Sequence, residues 1–298
     1  MITPSRLVSP DVLRQVKAIE LRTRHLVNTL FSGEYRSVFR GQGIEFSEVR
    51  AYQSGDDYRS VDWNVSARMG SPYVKTFEEE RELTLLLVVD RSGSEEFGAP
   101  VRKSEQGVEV AAVLALAAAR QDDRVGALIF SEDIEHVVPP AKGRLHALRI
   151  LRDLVAFHPK GHGTNLSPAL AYASRLLRHH SIVVVLSDFR ATGWQVPLRQ
   201  LSQRHEVVAI TVDDPREYTL PKAGWIELED AESHQHILVD TSHTGSRLRL
   251  AMAAEEARLA RARALRQAKV DHIALTTDRP YEEALHKAFS ERARRLRR

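Results

Sequence analysis

Residues 83–94 read LTLLLVVDRSGS, a strand-length apolar run broken by one threonine and ending on an aspartate and two serines. A strand that is apolar on both faces belongs inside a parallel sheet covered by helices. Three more runs of the same kind follow: 124–130 (RVGALIF), 182–188 (IVVVLSD) and 206–213 (EVVAITVD). Shorter strands are expected at 134–138 and 272–276. Helical patterns fill the intervals at 106–120, 144–157, 168–178 and 194–202, and continue at 246–269 and 280–298. This alternation predicts an α/β fold with a doubly wound, mostly parallel sheet of the Rossmann type. Residues 225–241 (WIELEDAESHQHILVDT) alternate polar and apolar positions around a polar centre, the pattern of a β-hairpin inserted before the last unit.

Upstream of the sheet the texture differs. Ser9 and Pro10 open a helix expected over 9–30, with Val12, Leu13, Val16, Ile19, Leu26 and Leu30 at helical spacing. From 31 to 77, short segments at 37–39, 44–49 and 73–77 are separated by Gly41, Gly43, Gly55 and Gly70. They read as strands and turns and not as helices, hence a small β-rich lobe. The expected division is 1–78 for the N-terminal helix and lobe, 79–277 for the α/β domain with its hairpin at 224–241, and 278–298 for a basic terminal helix.

The chain has 298 residues, 43% hydrophobic and 28% charged, with no cysteine. Thiolate zinc, iron–sulfur clusters, disulfides and a cysteine nucleophile are therefore excluded. The longest apolar stretch, 110–119, is half the roughly 20 residues that cross a bilayer, and no export signal is visible, so a cytoplasmic protein is expected. The net charge of +3 is unevenly placed. From Gly245 to Arg298 there are 14 Lys and Arg against 7 Asp and Glu, which makes the rest of the chain slightly acidic.

Ligands of an open parallel sheet bind at the carboxyl ends of its strands, where the strand order reverses. That edge would collect Asp90, Ser92 and Ser94 after the first strand, Thr164 from the loop GHGTNLS at 161–167, and Asp188 after the strand at 182–188. Carboxylates and hydroxyls are hard oxygen donors, suited to Mg²⁺ or Mn²⁺. The plain structural alternative is that Asp90 ends a strand, Ser92 and Ser94 cap a turn, and Thr164 bonds local backbone. The position of the motif at the end of the most apolar strand favours a metal site.

These residues carry a resemblance. Asp90-x-Ser92-x-Ser94, then Gly163-Thr164-Asn165, then Ser187-Asp188, resemble the metal-ion-dependent adhesion site of a von Willebrand factor A domain. Glu45-Phe46, Arg50-x-Tyr52, Gly55-Asp56-Asp57-x-Arg59, Asp62-Trp63 and Ala67-Arg68 resemble the signature of the bacterial domain-of-unknown-function 58 family, the MoxR-associated proteins. The similarity spans 41–277. It implies a von Willebrand factor A-like domain with strand order 3-2-1-4-5-6 and a divalent ion bound by Asp90, Ser92, Ser94, Thr164 and Asp188. It implies as partners a MoxR-type AAA+ ATPase and a client protein that supplies an acidic group. A non-enzymatic adaptor in chaperone-like assembly follows from this. The membrane segments of many relatives find no counterpart in this chain.

Two other functions compete with this one. A Mg²⁺-dependent hydrolase or phosphotransferase could use the same ion, but Asp90-Arg91-Ser92 lacks the second aspartate of aspartyl phosphatases, and no G-x-S-x-G elbow occurs. Nucleic acid could bind the basic helices through Arg258, Arg261, Arg263, Arg266, Lys269, Arg292, Arg294, Arg295, Arg297 and Arg298, yet no interleaved aromatics or zinc motif accompany them, so it is not expected. The thirteen histidines read as solvated or capping, with none grouped with a carboxylate. The glycine pairs at 41–43 and 161–163 lack the third glycine of a dinucleotide site. Arg50, Arg59 and Arg68 alternate with Asp56, Asp57 and Asp62, an interleaving read as an ion-pair lattice in preference to a docking face.

Overall fold

The computed structural model describes residues 9–31, 45–78, 83–161, 163–232 and 235–296. The strand expected at 37–39, the Gly41-Gln42-Gly43 string, His162, His234, Arg297 and Arg298 lie outside the described residues. The chain forms two compact units, one of Met1–Val38 with Thr84–Arg298 and one of Phe39–Leu83.

The larger unit is built on six strands: β3 (Thr84–Asp90), β4 (Arg124–Phe130), β5 (Ile134–Ala141), β6 (Ile182–Leu186), β7 (Glu206–Asp213) and β10 (Asp271–Thr276). Across the sheet they run β10-β7-β6-β3-β4-β5. In chain order this is 3-2-1-4-5-6, as the resemblance implied. All neighbours pair in parallel except β5, which runs antiparallel to β4 at the edge. Only an edge strand tolerates the Pro139-Pro140 pair that β5 carries. The order reverses between β3 and β6, whose ends at Asp90 and Leu186 therefore flank the crevice where open α/β sheets bind ligands.

Helices cover both faces. Leu86, Val88, Leu128, Phe130, Val183 and Val185 pack with α5 (Leu166–Leu176), α6 (Gln195–Ser202) and the end of α7 (Thr244–Gln267). Leu85, Leu87 and Val89 point to the opposite face, where α3 (Lys103–Arg120) packs on β3, β4 and β7. All six of the β3 residues 85–90 are buried, which explains why this strand reads as one apolar run. Beside α3, α4 (Arg144–Val155) packs on β4, and α1 (Pro10–Phe31) lies against both helices, starting where Ser9 Oγ accepts hydrogen bonds from the backbone N–H of Asp11 and Val12. The terminal helix α8 (Tyr281–Leu296) packs on β10. The expected hairpin is present as β8 (Trp225–Glu229) and β9 (His236–Asp240), with Trp225 opposite Asp240. Among the described residues no helix is long and apolar enough to cross a membrane.

In the smaller unit, β1 (Glu45–Ala51) pairs antiparallel with β2 (Tyr73–Glu78). The reading of this region as strands and turns alone needs correction, because residues Trp63–Met69 form a helix, α2. Its signals are short-range: Asp62 accepts hydrogen bonds from the backbone N–H of Asn64 and Val65, and Gly70 ends the helix in the left-handed conformation at φ +72°. Seven residues are too few to show an apolar period, so the caps were its only sequence signature. Of the contacts expected here, Arg50 forms an ion pair with Asp56 through two bonds of 2.8 and 2.7 Å, whereas Asp57 caps a short turn by accepting from the Arg59 backbone N–H at 3.0 Å.

Candidate functional site

The ends of β3 and β6 are tied together by the Asp90 carboxylate. Its Oδ1 accepts from the Ser92 N–H at 2.9 Å, and its Oδ2 accepts from the Ser187 hydroxyl at 2.6 Å. The first bond bends the chain off the strand into a tight turn, Gly93–Glu96, closed by a hydrogen bond from the Glu95 N–H to the Ser92 carbonyl. The turn brings the Ser92 and Ser94 hydroxyls to 3.2 Å from each other. Asp90, Ser92 and Asp188 are buried and Ser94 is half-buried.

Asp188 follows β6, and the next residue, Phe189, takes the left-handed backbone at φ +53°. Such a conformation is uncommon for a bulky residue and persists only where its surroundings enforce it. Here the Phe189 ring packs edge-on against the buried Trp194 at 5.1 Å, and its N–H donates to Ser187 Oγ. The turn directs the Asp188 side chain back across the sheet edge, where its Oδ1 accepts from the Arg190 N–H at 3.1 Å. Asp188 Oδ2 accepts from the Nζ of Lys103, the first residue of α3, at 3.2 Å. The same ammonium donates to Glu217 at 3.2 Å, and Glu217 receives Arg190 at 2.8 Å. Asp188, Lys103, Glu217 and Arg190 thus close a ring of ion pairs in which the first two side chains have no exposed surface.

Electrostatics divides the carboxylates. Burial pushes Asp90 up to about 7, and the nearby Asp188 charge adds to the effect. Burial also pushes Glu95 well above the usual carboxylate range, with Asp188 and Asp90 adding to the shift and Lys103 opposing it. At Asp188 burial acts in the same sense, but the Lys103 and Arg190 cations outweigh it and hold the carboxyl below its ordinary value. Burial acts to lower Lys103, whereas Glu95, Asp188 and Glu217 together outweigh it and hold the ammonium charged.

One oxygen from each of Asp90, Glu95 and Asp188 lies within 4.8 Å of the others. A cation with metal–oxygen distances of about 2.1–2.5 Å can gather ligands at such separations with little movement, and an all-oxygen set suits a hard ion. Glu95 Oε1 is buried without a hydrogen-bond partner. The residues therefore fit a divalent cation.

The structure brings Asp90, Ser92, Ser94 and Asp188 to one edge. Thr164 reaches that edge beside β4, where the Asn165 N–H donates to the Ser131 carbonyl and Ser131 directly follows β4. The Thr164 hydroxyl donates to Glu232, at the tip of the β8–β9 hairpin. Sequence reasoning missed Glu95, Lys103 and Glu217. A glutamate directly after the second serine was the one available signal. Nothing local marks Lys103, which lies 85 residues from Asp188 in the chain. Some histidines do meet carboxylates, His136 with Asp153, His236 with Glu227 and His243 with Asp240, all away from this cluster in sequence. Arg261 turns inward to the Asp188 carbonyl at 2.7 Å and to Asp213, and Arg292 pairs with Glu206 and Asp271. Two cations of the supposed basic face are thus internal, which weakens its claim to nucleic acid.

A family model described as a protein of unknown function, DUF58, matches residues 48–260. The chain belongs to the DUF58 family. Its relatives include an uncharacterised protein of Mycobacterium tuberculosis, 36% identical over 228 residues that cover 75% of this chain and 72% of that one. An uncharacterised Bacillus subtilis protein is 30% identical over 112 residues, covering 38% of this DUF58 chain and 26% of its own length. Among solved structures, BatB from Bacteroides thetaiotaomicron aligns with 71% of this chain and 99% of its own at 13% identity and a TM-score of 0.43. An aerotolerance-related membrane protein from Bacteroides fragilis aligns with 72% of this chain and 99% of its own at 15% identity and a TM-score of 0.48. The fold assignment rests on the strand order and pairing, not on likenesses at this level.

Proposed function

We propose that this DUF58 protein is a non-enzymatic adaptor that binds Mg²⁺ or Mn²⁺ at the carboxyl edge of its sheet and uses the ion to hold an acidic group of a partner protein. The convergence of Asp90, Glu95 and Asp188 at the point where the strand order reverses carries this reading. Asp90, Ser92, Ser94, Thr164 and Asp188 would hold the cation. The bound ion would supply an electrophilic docking point for a carboxylate. Ser92 and Ser94 orient each other, Asp90 locks the two strand ends, and Asp188 is fixed from behind by Lys103.

The Thr164 hydroxyl already faces a carboxylate, that of Glu232, which supports an acidic group as the visitor to this edge. The partner proposed is a MoxR-type AAA+ ATPase, with a client in complex assembly, because the motifs in 41–277 resemble those of MoxR-associated proteins. A cytoplasmic location goes with this role. The phosphotransfer alternative lacks an accessible nucleophile among these serines: Ser92 and Ser187 are buried, and the Ser92 and Ser94 hydroxyls are bonded to each other.

The test is binding of the purified MoxR-type ATPase of the same organism, followed by biolayer interferometry in Mg²⁺ and in EDTA. Wild type should bind in Mg²⁺ and lose binding in EDTA, and Asp90→Ala and Thr164→Ala should be weak in both. Binding indifferent to chelation and to both substitutions contradicts the metal-dependent reading.

A further inference from the structure

The five ligands named above leave Glu95 without a role, yet it is the most anomalous side chain of the edge. Only 5% of its surface is exposed, although glutamate is rarely buried without a partner. Both oxygens of Asp90 already accept a hydrogen bond, from the Ser92 N–H and the Ser187 hydroxyl. Both oxygens of Asp188 do as well, from the Arg190 N–H and from Lys103. Glu95 Oε1 accepts none, while one oxygen of this residue lies within 4.8 Å of oxygens of the other two. A buried acceptor left unmatched is unfavourable, and it points to a group that completes it.

Charge indicates what that group is. Asp90, Glu95, Asp188 and Glu217 stand against Lys103 and Arg190, which leaves two negative charges when all are ionised. Arg91 beside them pairs with Glu96 at 3.3 Å, an acid it shares with the exposed Arg102, and Arg261 pairs with Asp213, so these groups stand outside the count. One divalent cation neutralises the cluster, whereas a monovalent ion leaves it one charge short. Lys103 is a built-in counter-charge that sets this number.

We propose that Glu95 is a direct carboxylate ligand of the divalent cation, the third carboxylate of the site and the one with an oxygen free to bond the ion. This rests on the cation site of the proposed function and adds to it a ligand that the adhesion-site motif does not contain. Among the three carboxylates, Asp90 and Asp188 serve first to brace the edge, and Glu95 closes on the ion from the Gly93–Glu96 turn.

The experiment is calorimetric titration of Mn²⁺ into the 298-residue chain, for wild type, Glu95→Gln and Asp90→Asn, each stripped with EDTA and dialysed. Circular dichroism in EDTA should show the same fold for Glu95→Gln, because the change removes a buried charge and keeps the shape. Wild type should bind one Mn²⁺, and Glu95→Gln should bind about tenfold more weakly or worse, since affinity follows the number of charged ligands. Equal affinity of wild type and Glu95→Gln, with Asp90→Asn inactive, overturns the role of Glu95 and leaves the cation site standing. No binding to wild type overturns both. If Glu95→Gln does not fold, a wild-type structure with Mn²⁺ decides: a Glu95 oxygen at about 2.2 Å from the ion supports the proposal, and a Glu95 turned away from it refutes it.

Discussion

Asp62 in the smaller unit and Asp188 in the larger one are both structural carboxylates, but they solve opposite problems. Asp62 accepts hydrogen bonds from two backbone N–H groups two and three residues ahead, beside an exposed Trp63. Asp188 has no exposed side-chain surface, and a lysine 85 residues away keeps it charged. The first is a local device that any solvated turn can use. The second takes a charge out of water and is tolerable only while its long-range partner stays in place.

The comparison is broken most severely at Lys103. Lys103→Met leaves Asp188 and Glu217 without the shared cation, and stability should fall by about 3–5 kcal/mol, read from urea unfolding. A loss under about 1 kcal/mol, the range of exposed pairs, would mean that the ring of ion pairs contributes little to the fold.

A second buried group titrates. His205 is 4% exposed, both ring nitrogens lack partners, and burial, helped by Arg204 and His180, lowers it to about 4. A histidine whose folded value lies below its unfolded value of about 6.5 leaves stability intact above that pH. Stability is then lost as pH falls from 6.5 toward 4, by about 3 kcal/mol in all. His205→Leu should flatten this part of the profile of unfolding free energy against pH, and an unchanged slope would place the proton elsewhere. Asp62→Ala comes next, costing about 1 kcal/mol as a lost helix cap. It should leave ATPase binding intact, and normal stability with lost binding would instead make the Arg50–Arg68 segment a docking face. The smallest effect is expected at Glu232→Gln, which frees the Thr164 hydroxyl from a charged competitor. Partner binding in Mg²⁺ should tighten by about two- to threefold, of the order of a single exposed charge interaction. Weaker binding would mean that Glu232 holds the loop in shape.

The same contrast separates what was legible in the sequence from what was not. Strands β3, β4, β6 and β7 announce themselves because both faces are buried, and the strand ends then locate Asp90 and Asp188 at one edge. The α2 helix was missed, although its Asp62 cap and Gly70 terminator were present, because seven residues carry too little periodicity to outweigh a glycine-rich context. Lys103 lies ahead of the helix expected at 106–120 and carries no local mark. Its fate depends on the β6 end and on Glu217, which only the folded sheet brings near. Glu95 received no role from the sequence, since burial by a tight turn leaves no trace in composition. Arg261 and Arg292 looked like part of a basic face for the same reason: a positive residue on a helix carries no mark of whether an acid waits inside.

The central claim is that the carboxyl edge of the sheet is a divalent-cation site. Thermal unfolding of the wild-type chain in Mg²⁺ and in EDTA tests it most directly, with Asp90→Asn in parallel. Mg²⁺ at about a hundred times its Kd should stabilise wild type by about 2.7 kcal/mol and raise Tm accordingly, and should leave Asp90→Asn unmoved. A wild-type Tm that is the same in EDTA and in saturating Mg²⁺ and Mn²⁺ would contradict it.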